Sequence, residues 1–241
     1  FGDGIDKPLD LFTGERTGFT FLGYNVQHVH KLFTPKVGAP MLWVSLLLMV
    51  AYGALHTIMA GWLKPRFQAW WGQRAYEGLY RMAFNVFALI GLIPIGLVMG
   101  MAEPRLVWQI PTAFAPVLVI VQFIGILGAG LSLLQIDGMR FLGVRQLRAY
   151  LNNEALPLPD EPLKTDGVYG LVRHPLYLFS ILLIWPVSVM NEAYLGVCLG
   201  MTLYFIVGSI YEERRLVTAF GEAYVAYQQR VPRLIPFMKW G

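Results

Sequence analysis

Two runs decide the fold: Gly-Val-Tyr-Gly-Leu-Val-Arg-His-Pro-Leu-Tyr, from Gly167 to Tyr177, and Glu-Glu-Arg-Arg-Leu-Val-Thr-Ala-Phe-Gly-Glu-Ala-Tyr-Val-Ala-Tyr, from Glu212 to Tyr227. The second is followed by Val231-Pro232-Arg233 and Pro236. Between the two runs lie two apolar segments, Leu176 to Met190 and Tyr194 to Tyr211, joined at Asn191-Glu192. A hairpin of this kind returns both charged clusters to one side of a membrane. Ionisable groups held at the mouth of an apolar bundle are a functional-site hypothesis by default.

Composition supports the membrane reading. Of the 241 residues, 56% are apolar and only 14% charged, against about 25% charged in an ordinary soluble domain. The single cysteine, Cys198, excludes an intrachain disulfide and reads as a small core residue. A net charge of +4 in such a chain reports loops on one membrane face rather than a nucleic-acid partner.

Outward from the hairpin, the pattern predicts an all-α, polytopic membrane bundle of about five spans, the last two a short hairpin, with a cap on the cytoplasmic side that the resemblance given below makes a cofactor cap. A bilayer core needs about 20 apolar residues as helix. Met41 to Gly61, Leu79 to Met101 (bent near Pro94) and Phe114 to Ile136 supply three, and Gly125, Gly128 and Gly130 mark a face for close helix contact. Two shorter spans make a tilted or sheltered pair. Residues 1–40 read as a surface or extracytoplasmic arm, with His28 and His30 as exposed side chains. Residues 41–136 read as a three-helix membrane part, and residues 137–241 as the part that carries both charged runs and, by the resemblance given below, the catalytic site. The segment Leu151 to Leu163 holds Pro157, Pro159 and Pro162, cannot be a regular helix, and suits a wall beside the charged cluster.

Fourteen of the nineteen Lys and Arg residues fall in the loop after the first span, the loop after the third and the C-terminal tail. With five spans these share one side, which the positive-inside rule makes cytoplasmic.

The two runs together resemble the C-terminal half of the integral-membrane methyltransferase superfamily. That group includes isoprenylcysteine carboxyl methyltransferases, phospholipid methyltransferases, bacterial methanethiol S-methyltransferases and NnrU-like proteins. Arg173-His174-Pro175, Tyr177, Glu212-Glu213, Phe220-Gly221, Tyr224, Tyr227 and Val231-Pro232 stand where the family pattern has them, a multi-part match over about seventy residues. Leu55 to Ala60 and Phe141 to Leu147 look most like the thiol methyltransferase branch.

The resemblance implies S-adenosylmethionine as cofactor, a small lipophilic or thiol acceptor, and a bacterial inner-membrane setting with the site facing the cytoplasm. It implies Glu212 and Arg173 as catalytic residues. Leu163, Lys164, Tyr169, Arg173, His174, Pro175, Leu176, Tyr177 and Glu213 are then the cofactor contacts. Arg173 offers a planar fork and His174 a donor to the cofactor carboxylate, while Tyr169 and Tyr177 offer rings. Adjacent residues on a helix point about 100° apart. At most one of the two glutamates can then face the site squarely; the resemblance favours Glu212, near the acceptor, and leaves Glu213 to pair with Arg215 or Arg173. Where prenylcysteine enzymes place an arginine one turn before the glutamate, this chain has Gly208, which argues against an acceptor bearing a carboxylate.

Two other readings stay open. Relatives that isomerise carotenoids would hold haem b between His56 and His174. A fixed subunit of a larger membrane complex would use the N-terminal arm as its contact.

Overall fold

The computed structural model describes residues 20–21, 24–25, 41–101 and 105–238. The expectations for the arm lie outside the described residues, except for a two-residue pairing of β1 (Thr20–Phe21) with β2 (Tyr24–Asn25). The long helices are α1 (Met41–Ile58), α2 (Lys64–Met101) and α3 (Ala115–Gln135). Shorter pieces follow: α4 (Gly138–Leu142), α5 (Val144–Leu151), α6 (Val168–Leu171) and α7 (Pro175–Ile184). The chain ends on α8 (Glu192–Phe220) and α9 (Glu222–Arg230). Three stretches, Met41–Gly100, Thr112–Gln135 and Glu192–Phe220, are long and apolar enough to cross a membrane, and this is a membrane protein. Leu89, Leu97, Ile120, Phe123 and Leu134 stay exposed on these helices. In a lipid solvent that is the satisfied arrangement, because no water has to be displaced from them.

Two helix pairs carry the bundle: α1 lies along α8, and α3 along α7. The glycines set the second pair. A Cβ on Gly125 would meet the Leu183 nitrogen at 2.9 Å, and one on Gly128 would collide with the Phe179 ring. Gly130 meets nothing within 4 Å, which corrects its place in the expected contact face. Two residues along a helix is a rotation of about 200°, so Gly130 turns away from the seam that Gly128 makes.

Three further expectations change. The segment between the first two spans is helical rather than a loop. A π turn at Met59–Leu63 leads straight into α2, and the break falls at Gly72 (φ 79°) while Pro94 sits inside the helix. Glycine reaches that φ at little cost. The first arm of the hairpin is a helix of only 10 residues, about 15 Å long and half a bilayer core. Its end is closed by protein groups: the Tyr194 hydroxyl donates to the Ile184 carbonyl at 2.7 Å, and Trp185 Nε1 donates to Thr202 Oγ1 at 3.0 Å. Finally, Asn191-Glu192 is not a bare turn. Val189–Asn191 forms β4, antiparallel to β3 (Leu106–Gln109), and Asn191 caps α8 by accepting from the Tyr194 nitrogen at 2.8 Å. The small sheet satisfies backbone groups that an all-helical hairpin would leave open.

Candidate functional site

The two charged runs meet by backbone pairing before any side chain is considered. The Arg173 nitrogen donates to the Pro232 carbonyl at 2.9 Å, and the His174 nitrogen to the Arg233 carbonyl at 3.1 Å. Pro232, lacking an N–H, is used only as an acceptor. Gln135 at the end of α3 receives the Val168 nitrogen on Oε1 at 3.0 Å, which fixes the start of α6. Pro175 then opens α7 in its first turn, where its missing N–H costs nothing.

Arg173 is buried and its guanidinium is committed. Nε donates to Glu213 Oε1 at 2.6 Å, and Nη1 donates to the carbonyls of Gln228 and Val231 at 2.8 and 2.7 Å. The last turn of α9 leaves carbonyls without intrahelical donors, and Arg173 supplies them. Gln228 Nε2 returns to Glu213 Oε2 at 3.1 Å. Glu213 thus pairs with Arg173 rather than with Arg215, and both its oxygens are taken. It is not among the residues that line the neighbouring cavity, which corrects its assignment as a cofactor contact. The expected open fork of Arg173 is likewise corrected, since two of its three nitrogens are spent on protein.

The adjacent glutamates, splayed by the helix, straddle one imidazole. His174 Nδ1 lies 3.4 Å from Glu212 Oε2, and Nε2 lies 3.3 Å from Glu213 Oε1. Burial pulls the His174 pKa down, but the two carboxylates outweigh it and hold it above the ordinary value. A doubly donating imidazolium fits both contacts. The ring stacks on Tyr177 (centroids 5.4 Å apart, planes 4° off parallel), and the Tyr177 hydroxyl donates to Glu212 Oε2 at 2.8 Å. Glu212 Oε1 has no partner among the described residues. Burial and the carboxylates of Glu212 and Glu161 push the Tyr169 phenol up to about 12, and its O–H donates to the Ser132 carbonyl at 3.2 Å.

This arrangement does not favour the haem reading. An axial ligand offers a free ring nitrogen, and both nitrogens of His174 face carboxylates. His56 Nδ1 is hydrogen-bonded to the Tyr204 hydroxyl at 2.7 Å, and His56 is not among the cavity residues.

A cavity of about 510 Å³ lies over the cluster, within the roughly 300–1,000 Å³ usual for cofactor and small-molecule sites. Leu163, Lys164, Tyr169, Arg173, His174, Pro175, Leu176, Tyr177 and Glu212 all line it. The irregular segment reaches it because Arg140 holds it down: Nη2 donates to the Leu158 carbonyl at 3.3 Å, and Nη1 donates to that of Pro159. Sequence reading missed the opposite wall, made by Arg81 of α2 and by Phe141 and Gln146. Gly143 (φ 88°) brings that wall in: its ideal Cβ would stand 2.5 Å from the Met82 nitrogen, so only glycine lets α4 and α5 dock on α2. The Phe141-to-Leu147 stretch carried a signal, but nothing in it pointed at Gln146. Arg81 was hidden among the loop cations.

Two buried polar atoms of this cavity have no partner among the described residues, the Tyr224 hydroxyl and Gln146 Oε1. Such atoms cost free energy unless something fills them. One is a donor and the other an acceptor, so the cavity suits a ligand that is polar at more than one point and still largely apolar.

A membrane bundle with a polar, half-enclosed cavity of this kind has the form of an enzyme that works on small or lipophilic molecules. The comparisons give the particular family. Methanethiol S-methyltransferase 1 of Bradyrhizobium diazoefficiens is 31% identical over 231 residues, which cover 92% of this chain and 79% of that protein. The methanethiol S-methyltransferase of Mycobacterium tuberculosis is 24% identical over 245 residues, covering 97% and 98%. Protein-S-isoprenylcysteine O-methyltransferase B of Arabidopsis thaliana is 37% identical over 81 residues, 32% of this chain and 40% of that one. No family model and no solved structure matches the chain. The chain belongs to the methanethiol S-methyltransferase family of membrane methyltransferases.

Proposed function

We propose that this protein transfers a methyl group from S-adenosylmethionine to a small thiol, methanethiol being the acceptor that its relatives' names indicate. The observation that carries the reading is Glu212. Its Oε2 is held by the Tyr177 hydroxyl and faces His174, while its Oε1 is left for the cavity.

The residues fit the cofactor. The adenine amine, the ribose hydroxyls and the ammonium group can donate to Gln146 Oε1, and the ring nitrogens or hydroxyls can accept from Tyr224. Leu163 and Lys164 supply backbone, and Tyr169 and Tyr177 supply ring faces. When bound, the cofactor supplies an electrophilic methyl on a sulfonium. Glu212 Oε1 takes the proton from the thiol, as a general base does. His174 and Tyr177 fix that carboxylate through its other oxygen, so it enters the reaction already aimed. Arg173, whose Nε and Nη1 are spent on protein, and Glu213, which lies behind the cavity lining, position His174. Leu176, Leu216 and Phe220 keep water from the acceptor side. The would-be Cβ of Gly208 meets nothing within 4 Å, so no side chain there recognises an acceptor carboxylate.

The topology that goes with this reading has five crossings, the α7–α8 hairpin included, with the cavity and the tail on the cytoplasmic side, where the cofactor is made. Cysteine labelling after Gly241 and near Gln73 is expected to report the cytoplasm, and labelling near Asn191 the opposite face.

The direct test is transfer of labelled methyl from S-adenosylmethionine by purified protein, with methanethiol, longer alkanethiols, isoprenoid thiols and phospholipid amines offered in parallel. Volatile methyl thioether from the short thiols is the expected product. Binding of the cofactor with transfer only to a lipid amine or a carboxylate would overturn the choice of acceptor, and no binding would overturn the reaction.

A further inference from the structure

Accepting the cofactor proposed above, we infer that Arg81, on α2 in the N-terminal half, is the residue that holds the carboxylate of its aminoacyl tail. The inference comes from asking which cation lining the cavity still has donors to give. Arg173 has spent Nε and Nη1 on Glu213 and on two backbone carbonyls. Arg140 has spent Nη1 and Nη2 on the Pro159 and Leu158 carbonyls, and its Nε stands 3.9 Å from Glu161. His174 faces a carboxylate at each nitrogen. Lys164 is exposed, at the rim.

Arg81 differs from all of these. It is half-buried, it lines the cavity, and only its Nε is used, donating to the Phe141 carbonyl at 2.9 Å. Asn85 Nδ2 donates to the same carbonyl at 3.0 Å. The stem of Arg81 is therefore fixed from one end, and both Nη atoms remain, among the described residues, without a partner. A planar pair of N–H donors on an anchored guanidinium matches a carboxylate in two-point fashion. The partial burial strengthens such a contact relative to one at the rim. The aminoacyl tail would then bridge the two halves of the chain, and the site would not be complete in residues 137–241 alone.

Two ligands differing in that tail make the test. S-adenosylhomocysteine carries the carboxylate; 5′-methylthioadenosine has the same adenosyl thioether without the aminoacyl group. Calorimetry on the full-length protein in detergent gives the ratio of their affinities. In the wild type the ratio is expected to favour S-adenosylhomocysteine by at least about tenfold, and R81Q is expected to remove most of that preference while 5′-methylthioadenosine binds as before. K164Q is expected to keep the preference. An unchanged ratio in R81Q, or a preference that disappears in K164Q instead, overturns the assignment. If R81Q loses both ligands through a damaged wall, R81K is read in the same way. It keeps the charge but not the fork, and a wild-type ratio there overturns the assignment too. Failure of both ligands to bind the wild type is a different result, since it removes the cofactor and not merely the role of Arg81.

Discussion

His56 on α1 and His174 at the start of α7 are both imidazoles set into an apolar bundle, and both lean on α8. Their surroundings differ in kind. Among the described residues His56 has one polar partner, the Tyr204 hydroxyl, inside a box of rings: Phe84 at 4.5 Å, Tyr204 at 5.5 Å and Tyr52 at 6.1 Å between centroids. His174 has a carboxylate at each nitrogen, an arginine tied to one of those carboxylates, and a cavity beside it. A histidine in a membrane protein is expensive, and both have a reason to be there. In the first case the cost is met by a neighbour. In the second, Glu212 lines a cavity together with Tyr224 and Gln146, whose hydroxyl and Oε1 have no partner among the described residues. Unspent polar capacity, rather than polarity itself, separates a site from a strut.

The sharpest way to break this comparison lies within the glutamate pair. Glu213→Gln removes one charge from a buried ion pair (side chains 5% and 11% accessible) and leaves Arg173 uncompensated. A loss of that kind costs about 3–5 kcal/mol, and a large drop in melting temperature in detergent is expected. Glu212→Gln is expected to do the reverse: melting temperature and S-adenosylhomocysteine binding nearly kept, turnover down by about 10²-fold or more. If the two variants exchange phenotypes, the division between strut and site is wrong.

Tyr224→Phe tests the unspent donor directly. The hydroxyl has no partner among the described residues, so removing it is expected to leave the stability of the ligand-free protein unchanged or slightly raised. Cofactor affinity is expected to fall by about tenfold, the size of one neutral hydrogen bond of about 1–1.5 kcal/mol. A loss of stability with no change in affinity would mean that the hydroxyl serves the fold.

These contrasts explain how far the sequence could be read. Arg173, His174, Tyr177 and Glu212 were legible because their spacing around a membrane hairpin is itself the signal. The partition between Glu212 and Glu213 was legible only as an angle; which neighbour each would meet depended on where the last turn of α9 falls, a tertiary fact. The place of Arg81 in the cavity lining was not legible, since it comes with Gly143 letting α4 approach α2, and nothing local to Arg81 records that approach. Membrane helices were plain from apolar length, yet the stop of α7 after 10 residues was not. It depends on Tyr194 and Trp185 closing its end from another element.

A smaller effect is expected from pH. His174 has a folded pKa above its ordinary value, so it binds its proton more tightly in the folded state. Its contribution to stability is then fully present below the unfolded value of about 6.5 and is lost as pH rises through the folded value. Wild type and His174→Gln, melted side by side from pH 5.5 to 9, are expected to differ most at the acid end and to converge at the alkaline end. A gap that widens with pH would mean that the ring is held neutral, and the doubly donating imidazolium between Glu212 and Glu213 would have to be given up.

The smallest effect on turnover is expected at the other histidine, and it closes the comparison from that side. Tyr204→Phe keeps the ring that packs against His56 and removes only the hydroxyl at 2.7 Å. The imidazole then loses its one polar partner among the described residues, at a cost of about 1–3 kcal/mol if nothing replaces it. His56→Phe in the same background removes the unpaired group as well, and stability is expected to recover in part, because two apolar rings replace a broken pair. A double-mutant cycle over the two positions measures this coupling separately from either truncation. Turnover is expected to stay within about twofold throughout, since neither side chain reaches the cavity. A coupling energy near zero, or a loss of turnover comparable with that of Glu212→Gln, would show that His56 has unspent capacity after all and belongs with the site.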